Sequence, residues 1–598
     1  MHRLLGGLLI CSFCVIVPAQ TPAPIRETIV VTGTYEPVEL EESDRSITVL
    51  DVSRLSLLSN TLADFFKLDA SVDLRQRAPN GLQSDISIRG GGFGQTLVLI
   101  DGQRVNDAQS GHHNMDIPLP MESVERIEIL RGAGSTQYGS DAVGGAVNII
   151  TRKPEASEFR LRTALGNFGV NQQRAGLTYV RGTLLESLSF SRDFSSGFRP
   201  DRDYRNLSLA SRTSFATALG ASDITLAYND RPFGADQFYG NFNSWENTKS
   251  WYAAMRQGLG SKTDGSFSFR RHSDQFVLYR DRPQVFTNHH AVESFLGSVR
   301  RREELGTNSR LFYGVEGLHE SIASNNLGTH SRSRGAGYVA FDIRALRRFS
   351  FSVGAREEVY GSLSTQFSPN ASAGYWLSPH FKLRGGASRA FRIPTYTDLY
   401  YHDPANQGSP DLRPESAWSY EGGLDWNAGG KVRGEVVVFH RRETDGIDYV
   451  RRSPTDIWRA TNIQNLRFTG VEAGLTVQPA RRHRLELRYT GLDGVQQSLA
   501  GLASKYTFNY PTHSGIVSWE AMTAGGWSAR TRIGVVNRVA RDPYAVWDVY
   551  LAQVNWRVRP FLQFANLTDA RYEEIQGVVM PGRSVVGGIE IAVFGARH

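Results

Sequence analysis

The stretch Glu158-Phe159-Arg160-Leu161-Arg162-Thr163-Ala164-Leu165, "EFRLRTAL", carries the pattern that decides the fold. Successive side chains of a strand point to opposite faces, so Phe159, Leu161, Thr163 and Leu165 share one face and Arg160 and Arg162 the other. The pattern returns at Leu188 and Phe190, at Leu485, Leu487 and Tyr489, and at Val585, Ile589, Ile591 and Val593, with Arg, Ser, Glu, Asn and Gly between. Apolar residues facing lipid, with Arg, Gln and Ser facing a polar lumen, form the dyad repeat of a transmembrane antiparallel β-barrel. A sandwich or propeller alternates too, but neither accounts for the span 155–598 without a repeated blade motif. At roughly 20 residues per strand and connection, that span gives about 22 strands. A barrel of that size encloses a lumen too wide to stand open, so a plug is expected.

Composition agrees with this reading. Gly at 59 residues, aromatics at 11% and only six Met describe turn-rich β structure rather than helices. Mean hydropathy is −0.34, and beyond the N-terminus no run of about 20 apolar residues occurs, which excludes a helical membrane protein but not a barrel. Met1-His2-Arg3, the apolar run from Leu4 to Val17 and the small residues before Gln20 read as a secretory signal peptide over 1–19. Both cysteines, Cys11 and Cys14, fall inside it, so the mature chain has neither a disulfide framework nor a thiolate site. The formal charge of +7 is spread through strand patterns without a basic domain, and no nucleic-acid partner is expected.

Residues 44–154 differ from the alternating strands of 155–598. The short strands "SITVLD", "DISIRG", "TLVLIDG", "ERIEILRG" and "GAVNIIT", broken by Gly, Asn and Pro, with a helix-like "TLADFFKLD", describe a small α+β domain of the size and position needed for the plug. Before it, residues 20–43 form an arm holding "ETIVVTG", Glu27-Thr28-Ile29-Val30-Val31-Thr32-Gly33. This is a β-prone segment with no obvious partner, flanked by Pro18, Pro22 and Pro24 and by the charged "YEPVELEESDR".

In this order, "ETIVVTG", "SIRG" (Ser87 to Gly90), "TLVLIDGQRVND" (Thr96 to Asp107), "IPLPMESVERIEILRGAGSTQYGSDAVGGAVNIITRK" (Ile117 to Lys153), "RAFRIPTYTDLYY" (Arg389 to Tyr401), "SPDLRPE" (Ser409 to Glu415) and "FANLTDARYEEIQGVVMPGR" (Phe564 to Arg583) resemble the TonB-dependent outer-membrane transporters over nearly the whole mature chain. Within that family "QSGHHNMDIP" (Gln109 to Pro118) and "RPFGADQFYGNFNSWENTK" (Arg231 to Lys249) resemble the cobalamin-receptor-like branch. The resemblance implies a monomeric bacterial outer-membrane protein that imports a scarce large nutrient, cobalamin or a related metal chelate, with ferric siderophore or haem as alternatives. The chelate is cargo, and no cofactor is implied. Glu27 to Gly33 would be the TonB box, which adds as an edge strand to the sheet of the inner-membrane partner TonB. The charged tether after it would stay flexible and transmit pull.

Candidate plug–barrel contacts are Arg89, Arg126, Glu128 and Arg131, since hydrated polar interfaces rearrange more readily than apolar ones. Candidate cargo contacts are Gln109, His112, His113 and Asn114 on a Gly-containing loop, and Phe238, Tyr239, Asn241 and Trp245, whose flat rings suit a large ring system. On a strand, adjacent histidines point opposite ways, so hydrogen bonding rather than bidentate metal ligation is expected of His112 and His113, and no metal site is assigned. His402, between "FRIP" and "SPDLRPE", is the candidate haem-iron ligand. No GxSxG, HExxH or Walker pattern and no mature cysteine supports catalysis, so an enzyme is not expected. A passive channel or adhesin barrel is the alternative of another class. At the C-terminus Phe594 falls on the face opposite Val593, with Gly595 to His598 beyond it, a departure from barrels that end on an outward aromatic.

Overall fold

The computed structural model describes residues 29–594, apart from 347, 362–364, 496–498 and 500. The expected leader, Glu27, Thr28 and the tail after Phe594 lie outside the described residues. From Glu158–Gly166 to Ser584–Phe594, 22 antiparallel strands close into a barrel, the last pairing with the first through Leu161↔Ile591 and Thr163↔Ile589. The alternation read from "EFRLRTAL" holds in space: Leu165 is 63% exposed on the outside, while Arg162 is 4% exposed in the lumen. No described helix is long and apolar enough to cross a membrane.

The strands meet in tight turns at one end, as between Arg181 and Leu184, where Gly182 takes φ +59°. At the other end long connections, 393–414, 445–465 and 566–583 among them, rise between strands. The expected misfit of Phe594 is corrected by a register shift. Phe159 pairs with Phe594, but the next residue, Arg160, pairs with Ala592, so a β-bulge absorbs Val593 and places Phe594 opposite Phe159. Their rings lie 6.2 Å apart and Phe594 is exposed.

Inside the barrel sits the domain read from residues 44–154. Its five-stranded sheet runs in the order Ile47–Asp51, Val124–Arg131, Gly145–Thr151, Thr96–Ile100, Gln103–Arg104. Ile127, Ile129, Val147, Ile149, Val98 and Ile100 stack in one core with Phe65, Phe66 and Leu55 from the short helices, and each side chain so buried stabilises by about 1.5–3 kcal/mol. A separate hairpin, Val72–Ala78 with Leu82–Ile88, turns at Asn80 and Gly81, both at positive φ, and its tip meets Phe233, Phe238 and Val578 at the loop end.

Candidate functional site

At the turn end the arm is not free. Ile29–Val30 pairs with Val38–Glu39, and Val30 is fully buried against Leu97, Leu99 and Leu130 of the plug. The backbone N–H groups of Val31 and Thr32 donate to Glu128 Oε2 at 2.9 and 2.8 Å, Asn148 Nδ2 donates to Thr32 Oγ1 at 3.0 Å, and Gly33 N donates to the Tyr138 hydroxyl at 3.2 Å. This corrects the expectation of an exposed strand without an intramolecular partner. The charged tether is docked too: Tyr35 stacks on Phe312 at 5.5 Å, Glu36 pairs with Arg302 and Arg310, Glu41 with Arg433, and Asp44 with Lys382.

Arg126 and Glu128 are likewise corrected as barrel contacts. Arg126 pairs with Glu125 and Glu128, and the fully buried Glu128 serves the arm through the N–H groups of Val31 and Thr32. Arg89 and Arg131 do reach the wall. Arg89 forms a two-point pair with Glu472 at 2.7 and 2.8 Å and reaches Glu421 at 2.7 Å. Arg131 joins Glu472 at 3.0 Å and Glu435 at 2.8 Å. Arg89 sits at φ +52°, a conformation rare for a side-chain-bearing residue, at the start of the turn that aims its guanidinium at the wall.

A cavity of about 180 Å³ lies between the plug and the wall formed by the last strands, lined by Asp64, Lys67 and Asp73 of the plug and by Tyr204, Arg530 and Tyr550 of the barrel. Plug carbonyls next to it are tied to the wall: Arg530 donates to Leu58 O, Gln563 Nε2 to Ser59 O at 3.0 Å, and Arg174 to Asn60 O at 2.8 Å.

At the loop end a small sheet built from three connections, in the order Asn406–Gln407, Trp458–Ile463, Gly446–Arg451, Ala503–Ser504, folds over the plug apex. It carries half-buried cations among rings. Lys505 Nζ lies 5.6, 5.9 and 5.3 Å from the rings of Tyr449, Trp458 and Tyr506, and the Arg451 guanidinium lies 4.2 Å from Trp458. Burial pushes the Lys505 ammonium down to about 8, against the pull of Asp403 and Asp448. Tyr506 meets the plug edge-on at Phe93, 5.0 Å between centroids, and Phe93 stacks on His112 at 4.0 Å. A Cβ at Gly111 would collide with Phe93 and the backbone of Gly94, so glycine is required there.

The residues singled out in the sequence divide. Gly111–His113 is a 3-10 turn, not a strand, and turns its two histidines to different partners. His112 Nδ1 meets Asp85 at 2.6 Å, while His113 lies between Asp116 at 3.3 Å and Asp274 at 3.5 Å. Burial depresses the pKa of both rings. For His112 it prevails over Asp85, whereas hydrogen bonds to Asp116 and Asp274 hold His113 well above the ordinary imidazole value. Gln109 and Asn114 are buried and spent on structure, Gln109 Nε2 on Asp274 at 3.1 Å and Asn114 Oδ1 on Asp107 N at 2.9 Å. Phe238 packs into the core at the hairpin tip with Arg202 4.5 Å above its ring. Trp245 points outward, because on its strand Ser244, Glu246, Thr248 and Ser250 are the buried, lumenal set. Gln109, Asn114, Phe238 and Trp245 are therefore corrected as cargo contacts. Tyr239, Asn241 and His402 remain accessible, Tyr239 donating to Glu246 Oε2 at 2.6 Å. Tyr449, Arg451, Trp458, Lys505 and Tyr506 were missed, although "DYVRRSPTDIW" and "SKYTF" mix bases and aromatics in long connections.

Two family models cover most of the chain: "TonB-dependent Receptor Plug Domain" matches residues 39–146 and "TonB dependent receptor-like, beta-barrel" matches 151–568. The chain is 28% identical over 553 residues to an iron-regulated outer membrane virulence protein of Vibrio cholerae serotype O1, covering 84% of this chain and 83% of that one. It is 22% identical over 566 residues to the vitamin B12 transporter BtuB of Photobacterium profundum, covering 87% and 89%. Among solved structures, the ferric enterobactin receptor PfeA of Pseudomonas aeruginosa superposes with a TM-score of 0.76 at 15% identity, covering 94% of this chain and all of that one. The siderophore receptor PirA of the same organism gives 0.71 at 19%, covering 92% and 99%. The chain belongs to the TonB-dependent receptor family and is a TonB-dependent transporter of the bacterial outer membrane, not an enzyme.

Proposed function

We propose that this transporter imports a large anionic metal chelate of the ferric-siderophore class. The observation that carries this reading is the set of half-buried cations among aromatic rings over the plug apex: Lys505 and Arg451 with Tyr449, Trp458 and Tyr506. Rings offer flat apolar contact while the bases complement negative charge, which suits an anionic aromatic chelate better than a neutral one. The likeness to an iron-regulated relative supports the same class. Cobalamin is the second reading, favoured by relatives named as vitamin B12 transporters. Haem rests only on the exposed His402.

Uptake would proceed by capture under the loop sheet, release of the arm and pull by TonB. Strand addition to TonB requires Ile29–Val30 to leave Val38–Glu39, so the docked arm is the state before engagement. A pull on Gly33 next loads Ile47–Asp51, which is an edge strand, and then the segment Val52–Phe66, which leads to the plug side of the 180 Å³ cavity. Removing that segment would open a path beside a plug whose other strands stay in place. Quenching of intrinsic fluorescence on titrating purified protein with a ferric tris-catecholate, cyanocobalamin and hemin tests the cargo. Tightest binding of the ferric catecholate, weakened in Lys505→Ala, is the expected result; saturable cyanocobalamin binding without catecholate binding overturns it.

A further inference from the structure

Where the plug loop 107–116 meets the barrel strand Thr263–Val277, four carboxylates, Asp107, Asp116, Asp274 and Glu246, converge with only two guanidiniums, Arg231 and Arg270, and all six side chains are at least nine-tenths buried. Two imidazoles, His113 from the plug and His272 from the barrel, stand among them with ring centroids 4.8 Å apart. Asp107, Asp116 and Asp274 are matched by only two guanidiniums, so the cluster favours one further positive charge, carried by an imidazole proton or by a metal ion. Asp274 Oδ1 and Gln109 Oε1, both shielded from solvent, accept no hydrogen bond.

We propose that His113, Asp116 and His272 form a binding site for one divalent cation of the zinc class, joining plug to barrel. Asp116 Oδ2 lies 3.3 Å from His113 Nδ1 and 3.1 Å from His272 Nε2, and the donor atoms of all three residues lie within 4.8 Å of one another. Tetrahedral ligands at 2.0–2.1 Å from zinc stand about 3.3–3.4 Å apart, so two of these spacings already suit a metal with little movement. Carboxylates stand near the outer ring nitrogens as well. Ligating imidazoles characteristically offer their other nitrogen to a carboxylate; here His272 Nδ1, buried and without a hydrogen-bond partner, lies 2.9 Å from Asp107 Oδ2, and His113 Nε2 lies 3.5 Å from Asp274 Oδ2. Arg231 holds the remaining oxygen of Asp116 at 2.7 Å. Two nitrogens and one carboxylate oxygen select a borderline cation such as Zn²⁺ over Ca²⁺ or Mg²⁺, which prefer all-oxygen shells. The fourth position is left for water. A dication takes the place of the imidazole proton among these carboxylates and fastens the plug loop that carries His112 to the wall, whatever the cargo.

The test uses the full mature protein in detergent, stripped with a chelator, dialysed and titrated with Zn²⁺, Mn²⁺ or Ca²⁺. Elemental analysis should find Zn²⁺ near one per chain, X-ray absorption should show a nitrogen/oxygen shell containing imidazole, and the thermal unfolding midpoint should rise on loading. His272→Ala and His113→Ala should abolish stoichiometric binding. Asp107→Asn, which keeps every ligand, should weaken it 10–100-fold, so the site is tested even if an alanine variant fails to assemble. His319→Gln, on the outer face, should bind as the parent does. Absence of stoichiometric Zn²⁺, preference for Ca²⁺, or Zn²⁺ binding that survives both Asp107→Asn and the histidine variants overturns the proposal.

Discussion

Glu128→Gln should free the arm without cargo. In the docked state one carboxylate oxygen accepts from Val31 N and Thr32 N, and the other faces Arg126 Nε at 2.9 Å. Hydrogen bonds to a charged group contribute about 1.5–3 kcal/mol each. Glutamine keeps one neutral acceptor oxygen and puts an amide that can only donate in place of the other, so the net loss is about 2 kcal/mol, roughly a 30-fold shift towards release. Val30 stays buried against Leu97, Leu99 and Leu130 and still favours docking, so a gain of mobility rather than complete release is expected. Were the docked arm favoured about 100-fold in the parent, the free fraction would rise from about 1% to about a quarter.

No cysteine follows Cys14 in the sequence, so in protein lacking the expected leader Ile29→Cys, at a half-exposed position, can carry a nitroxide label alone. Its spectrum should show a new fast component in Glu128→Gln, and the TonB C-terminal domain should bind the unloaded transporter more tightly. Thr32→Val, which removes the Asn148 hydrogen bond but leaves Glu128 in place, should shift release about fivefold, matching a bond of about 1 kcal/mol. A Glu128→Gln spectrum and TonB affinity both equal to the parent's would refute the clamp.

Three other perturbations address the middle and the top of the molecule. Glu472→Ala strips the carboxylate that Arg89 and Arg131 share and should cost about 3 kcal/mol, as for a broken buried pair, seen as faster amide exchange in Val124–Arg131 and a lower urea midpoint. Gly139→Ala places a methyl into the Glu358 carboxylate at φ +79°; because Arg334, Arg356 and Tyr360 hold Glu358, it should unseat the plug and raise passive permeability to large antibiotics. Affinity for an anionic chelate should be flat below pH 8 and fall towards tenfold per unit above it, since Lys505, pushed down to about 8 by burial, binds the anion only when protonated. Lys505→Arg, charged throughout this range, should abolish that fall.

Period and order were legible in the residues; pairing was not. Leu161, Leu165 and Arg162 declared their faces because a strand repeats every two residues whatever surrounds it, and the strand number followed from chain length. Trp245 was misread although the same parity governs it, because "NFNSWENTK" resembles a loop and its strand begins at Asn243, above the apolar band. Phe594 shows the limit of parity itself, since one bulge, invisible in a single strand's sequence, reverses every assignment beyond it. Arg89, in the turn after a plug strand, meets the wall, and Glu128 meets the arm, while Arg131 on the same strand as Glu128 meets the wall too; the outcome depends on where along the strand each side chain falls relative to the barrel, which the residues alone do not show. The arm itself was the hardest case. If "ETIVVTG" is the TonB box, its exposed-strand chemistry serves pairing with another protein's sheet, and the same N–H groups of Val31 and Thr32 that would suit that partner also suit Glu128. A segment that binds elsewhere needs a resting place weaker than its partner's hold, and a two-residue ladder with Val30 buried and Glu128, Asn148 and Tyr138 as its side-chain anchors is a smaller hold than a full strand in the plug sheet.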